Sequence, residues 1–252
     1  MRRMLTTIAV SGAVLALPAT AAFAQTPHTY SANLTQANDS GASGTVMIEL
    51  DGTTADISID GNNFFDGFPH AIHFHGEPGG DNVCGPLNPG DAGFDEADED
   101  GDGILSVVEG VPSYGGVALS LTTEGDTSPD SALAVDRFPT SGTLDYRRTI
   151  ELPQEVADNL STLHVVVHAT DLNGSGEIGD QGTPSSLDPE LDIEATAPAA
   201  CGQITAMAAG GVATGAGGTA TADNGASAAL AGAAGLGVLG AVALRRRNGE
   251  LS

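Results

Sequence analysis

The chain has 252 residues, with 33 acidic residues against 8 basic ones and a formal net charge of −25 at pH 7. Every basic residue is an arginine, and only Arg137, Arg147 and Arg148 lie away from the two ends. Such a chain repels phosphate, which excludes nucleic acid as a partner, and its acidic, lysine-free character fits a halophilic setting where salt screens self-repulsion.

Residues 1–24 read as a secretory signal: Arg2 and Arg3 lead an apolar centre from Ile8 to Leu17, and Ala22-Phe23-Ala24 offers a cleavage site before Gln25. An exported chain with two cysteines fits one disulfide. Residues 25–207 are then one domain, long enough for a sizeable core. Short β segments punctuated by Gly, Asn and Asp fill it, with no long amphipathic helix. The first two strands are predicted at residues 30–34 and 44–50. Asp51-Gly52 is a turn signal before a third at 55–59. In Val46-Met-Ile48-Glu-Leu50 and Ala55-Asp-Ile57-Ser-Ile59 apolar residues alternate, as in strands with one buried face. Further strands are predicted at 71–74, 117–122, 144–152, 163–169 and 203–207. About eight strands suit an all-β Greek-key barrel or sandwich. Two long loops interrupt them, residues 76–112 and 171–198, and loops of that length are functional or disordered. No internal repeat is evident.

The fourth strand carries His70-Ala-Ile-His73-Phe-His75, with Cys84 nine positions later. On a strand His73 and His75 project from one face. Imidazole suits copper and zinc, and copper binds nitrogen sites most tightly. Within the first long loop, residues 98–109 fit the calcium loop of an EF-hand. Asp98, Asp100 and Asp102 fall at positions 1, 3 and 5, and Gly103 at 6 allows the sharp turn. The Ile104 carbonyl falls at 7, Ser106 at 9 and Glu109 at 12. The other reading is a solvated acidic loop. Asp91, Asp95 and Glu96 add to its negative field. Flanking helices are not evident, so the ion is expected to act as a structural clip.

Leu163-His164-Val-Val-Val-His168 is the next chemically informative run. His164 lies four residues before His168, on the same face but roughly 13 Å away on a regular strand, too far to share a metal without a bulge. Asp171-Leu-Asn173-Gly-Ser175-Gly176 begins like a second calcium loop, but Gly182 stands at position 12, which favours a plain Asx/Gly turn. Ala200-Cys201-Gly202-Gln203-Ile204 supplies the second cysteine. Residues 208–224 form a Gly/Ala/Thr-rich linker. Residues 225–244 are uncharged and long enough for one membrane crossing, and Arg245-Arg246-Arg247 predicts a cytoplasmic tail at 245–252. Cell-surface anchoring by that helix is the expectation, and a disordered tail the alternative.

The order of these motifs resembles the Cu/Zn superoxide dismutase family across roughly Ser31 to Ala206. The resemblance implies a barrel in which His73, His75 and His168 hold copper and a Cys84–Cys201 disulfide closes the fold. It also implies a structural histidine at His70, expected to sit behind the site and hold a loop or a ligand in place. His164, too far for direct ligation on a regular strand, is expected to play a supporting part as well. Superoxide would be the substrate. Three departures limit the carry-over. Leu87 stands where the family's bridging histidine is expected, no histidine occurs between His75 and His164, and Pro198 occupies the place of the active-site arginine. No family-type zinc site is therefore expected, and an acidic surface repels an anionic substrate at ordinary ionic strength. Three functions remain open: a copper-dependent dismutase, a non-enzymatic copper-binding surface module, or a structural β domain similar to the chordin-type (CHRD) modules. No nucleophile-elbow, Walker or zincin motif is present.

Overall fold

The computed structural model describes residues 28–208. The expected signal, the 225–244 segment, the basic tail and nearly all of the linker lie outside the described residues. Membrane anchoring is corrected: among the described residues no helix is long and apolar enough to cross a membrane.

Nine antiparallel strands form a curled sheet, a half-barrel, in agreement with the all-β expectation. They are β1 (His28–Gln36), β2 (Ser43–Asp51), β3 (Thr54–Asn62), β4 (Ile72–His75), β5 (Val117–Ser120), β6 (Leu144–Glu151), β7 (His164–His168), β8 (Pro198–Gln203) and β9 (Thr205–Ala206). Their order is β5-β4-β7-β8-β1-β2-β3-β6, with β9 pairing β1. The first hairpin follows from its sequence. Gly52 adopts φ 63 in the turn, and the register sets Val46 opposite Ile59, Ile48 opposite Ile57 and Leu50 opposite Ala55. All six enter one core with Ile72, Phe74, Leu144, Tyr146, Val165 and Val167. Side chains span the gap between the edge strands: Tyr146 Oη donates to the Thr122 carbonyl at 3.1 Å, and Arg148 donates to the same oxygen at 2.7 Å.

The last predicted strand is corrected. Pairing begins at Pro198, and Ile204, buried in the core, separates β8 from β9. Small residues (Ala199, Ala200 and Gly202) supply half of β8, which has no β-branched residue and so lacks the strand signal that marks the others.

Strand alternation then decides where the histidines go. Ile72, Phe74, Val165 and Val167 point into the core, so His73, His75, His164 and Val166 occupy the opposite face. Loops cover that face instead of water. Leu87, Phe94, Leu105 and Tyr114 from the first long loop pack with Val166 and Cys201 in a second, smaller core. The Cys84–Cys201 disulfide, with Cα atoms 5.8 Å apart, ties that loop to β8. Asn38 adds a polar latch, donating to the Leu105 and Pro198 carbonyls at 3.1 and 3.0 Å and accepting from the Leu105 amide at 2.7 Å.

Helices do flank residues 98–109, contrary to expectation: α1 (Phe94–Ala97) precedes the loop and α2 (Val107–Tyr114) leaves it. Ser106 and Glu109 form a capping box that starts α2, while Gly110 and Pro112 inside it hide its helical character. A third short helix, α3 (Gln154–Asp158), joins β6 to β7.

Candidate metal centre

His73, His75 and His168 converge, as the family resemblance implies. Each offers one ring nitrogen, and these three atoms lie within 4.8 Å of one another. The other nitrogen of every ring meets a backbone carbonyl, and that partner assigns the tautomer. His75 Nδ1–H donates to Gly115 at 2.9 Å, and His168 Nδ1–H donates to Thr196 at 2.7 Å. His73 is reversed, its Nε2–H donating to Ala132 at 3.0 Å. A neutral imidazole has only one N–H. The nitrogens facing inward, His73 Nδ1 and the Nε2 atoms of His75 and His168, therefore carry lone pairs and no protons.

Two observations test whether a metal fits. His73 Nδ1 is buried without a hydrogen-bond partner, which native interiors rarely tolerate without a reason. His75 Nε2 and His168 Nε2 lie 3.4 Å apart with no proton to share. Two nitrogens about 2.0–2.1 Å from one ion at a tetrahedral angle stand about 3.4 Å apart. The protonation states agree with this arrangement. Burial, aided by the His168 charge, pushes His75 down to about 3. Burial pushes His168 down to about 4 against the opposing Thr196 bond. Burial, then His168 and His75, holds His73 well below its ordinary value. All three rings are neutral at pH 7, the form that binds metal.

His70 sits behind the cluster, its ring nitrogens 3.0 Å from the His168 carbonyl and 2.7 Å from that of Phe65. It thereby links the ligand-bearing end of β7 to the chain entering β4. His164 is placed differently. It pairs directly across from His75, on the same face, yet it stands outside the convergent trio. Both its ring nitrogens are buried without a hydrogen-bond partner among the described residues.

The open side of the trio faces a cavity of about 60 Å³. Phe68, Val107, Leu133, Val135, Leu187 and Leu191 form much of its wall. Sequence reasoning missed the β5–β6 connection altogether. That segment supplies the Ala132 carbonyl, Leu133, Val135, and Phe138, whose ring packs edge-on against His73 with centroids 5.7 Å apart. Backbone carbonyls and isolated apolar side chains carry no motif, so nothing in the sequence marks them.

The acidic loop is organised around Asp98. Its Oδ1 accepts from the amides of Gly101 and Asp102 at 2.9 and 3.1 Å, and its Oδ2 from Gly103 at 2.9 Å. Asp100 Oδ1 accepts from Asp102, and Asp102 Oδ1 from Ile104. Glu109 closes the loop, Oε1 accepting from Glu99 and Oε2 from Ser106, both at 2.9 Å. The carboxylates of Asp98, Asp100 and Asp102 lie within 4.8 Å of one another. Burial raises Asp102 above its ordinary value, opposed by the Ile104 amide and reinforced by Asp100, Asp98 and Glu109.

Residues 171–179 copy this loop position for position. Asp171 accepts from Gly174, Ser175 and Gly176, Asn173 from Ser175, and Ser175 Oγ from Glu177. Gly174 and Gly176 take φ 71 and 86, as Gly101 and Gly103 take 72 and 82. The missing carboxylate arrives from elsewhere in the chain. Glu194 Oε1 accepts from Leu172 at 3.0 Å and Oε2 from Gly179 at 2.8 Å, the same two loop positions that Glu109 holds in the first copy. Glu194 is fully buried. A fixed twelve-residue template looks only at position 12, finds Gly182, and misses it. The expectation of no internal repeat is corrected at the level of these two loops.

Protein-family models give no match to the chain, and neither do curated proteins.

Proposed function

We propose that the protein is a copper-binding β domain whose two long loops are clipped by calcium. The convergence of three unprotonated imidazole nitrogens on one point carries this reading. An all-imidazole set without carboxylate or thiolate favours copper among the common divalent metals. Copper held there supplies a centre that takes up and returns single electrons. The chain's own residues keep the three rings neutral, fix which nitrogen each presents, and shield the cluster from bulk water. Calcium is proposed for the Asp98–Glu109 loop because crowded, partly buried carboxylates favour a divalent cation. The second loop, completed by Glu194, is proposed for the same ion.

Two roles for copper differ in what else they require. Storage or delivery needs binding alone. Superoxide dismutation, implied by the family resemblance, also needs a group that draws an anion inward. Pro198 stands where that arginine is expected. Arg137, the nearest cation in sequence to the cavity wall, is tied to the Asp126 carbonyl at 3.0 Å and Ser131 Oγ at 2.9 Å. Binding without efficient dismutation is therefore the better supported role. Copper-loaded protein assayed for superoxide consumption decides between them. Copper retained with negligible turnover supports the binding role, and turnover lost in His73→Ala supports a dismutase. Calcium retained without copper removes both and leaves a structural module.

A further inference from the structure

The cavity above the histidine trio is unlike a channel for anions. Polar groups of two lining residues are already engaged: the Ala132 carbonyl accepts from His73, while the Thr196 carbonyl accepts from His168 and its hydroxyl meets Ser185 Oγ at 2.7 Å. Arg137, Arg147 and Arg148 are the only cations in the described residues. The first is held by Asp126 and Ser131, the second by Asp60 at 2.7 Å, and the third by Thr122 and the Gly125 carbonyl. None lines the cavity. At its wall stand Leu133, Val135 and Leu187, still 42%, 48% and 47% exposed. Large apolar side chains left this exposed and grouped at one opening mark a surface meant to meet something apolar.

We infer that this cavity admits a small uncharged molecule with one metal-donor atom and an apolar body, and discriminates against anions. The inference rests on the copper reading above and names the ligand class of that site. A metal's own charge attracts an anion. The remaining atoms of that anion, however, leave water for a wall that offers no cation and no free side-chain hydroxyl and lies within a strongly acidic protein, which costs more than the transfer of a neutral body. Capacity fits too. Since one water needs roughly 10–15 Å³ measured this way, a cavity of about 60 Å³ takes a ligand only a few water-sized groups long.

The test uses the full chain loaded with copper(I), with methyl isocyanide as the neutral probe and cyanate as an anion of matching linear shape. Binding is followed by calorimetry and by the infrared stretch of each probe. The same pair is measured on a small tris(imidazole) copper(I) complex in water, which gives the preference of the metal alone. The expected result is that the protein favours isocyanide over cyanate by about tenfold more than the small complex does. Leu133→Arg, and independently Val135→Arg, then shrink that excess by placing a cation at the mouth. A preference equal to that of the small complex, unchanged in both variants, overturns the inference. Failure to retain copper at all overturns the copper reading and this inference with it, and is recognised separately by elemental analysis.

Discussion

His73 presents Nδ1 to the cluster while His75 and His168 present Nε2, and the carbonyl each ring meets sets the difference. These rings also make the metal-free protein acid-sensitive. The ordinary histidine value is 6.5, and the folded values of His75 and His168 are about 3 and about 4. Both are depressed, so their contribution to stability is complete above 6.5 and falls as acid protonates the unfolded chain first. Each ring costs about 1.4 kcal/mol per pH unit in that interval, so the pair costs about 2.7 kcal/mol per unit between roughly pH 6.5 and 4. Urea unfolding of metal-free protein at pH 7.5, 6 and 5 is expected to show this decline, with roughly a quarter to a third of the histidine-dependent slope removed in His168→Gln, since His73 and His164 are depressed as well. An identical slope in that variant contradicts the assignment. Glu194 is the other residue on which the account depends, and Glu194→Gln keeps one acceptor oxygen while removing the charge. Calcium titration is expected to show one fewer bound ion in Glu194→Gln and one fewer in Glu109→Gln. Unchanged calcium content in both removes the clip.

At the scale of elements, the two loops and the disulfide fix what the strands alone leave open. β4 and β7 place their histidines on the outer sheet face, which residues 76–116 cover with a second core and residues 169–197 meet at His168 and around the cavity. Bound calcium at a hundred times its dissociation constant adds about 2.7 kcal/mol per site. The calcium-dependent gain in unfolding free energy is therefore expected to halve in Glu194→Gln. The strands were legible because Val46, Ile48, Leu50, Ile57 and Ile59 alternate with polar neighbours, and the first acidic loop because its carboxylates are contiguous in sequence. Three elements were not legible, each for a physical reason. β8 is built of small residues whose pairing is dictated by β7 and β1. α2 contains Gly110 and Pro112 and relies on its cap and on burial of Tyr114. The loop at 171–179 borrows Glu194 across the chain, and a contact of that kind exists only after folding. The histidine trio was legible because strand alternation predicts His73 and His75 on one face, although the placement of His168 rested on family resemblance.

Across the whole molecule, the Cys84–Cys201 link closes a loop with a sequence separation of 117. In the chain-entropy account a loop near that length contributes about 4.7 kcal/mol by restricting the unfolded chain. Cys84→Ser/Cys201→Ser is expected to lose stability on that order, measured by urea unfolding with calcium present. A loss below about 1 kcal/mol contradicts the account. The most direct test of the central claim, that His73, His75 and His168 form one metal centre, is elemental analysis after copper and calcium loading and desalting. The account predicts about one copper per chain, lost in His73→Ala/His168→Ala while calcium content stays the same. Copper absent from the unaltered protein, or retained in full by the double variant, contradicts it.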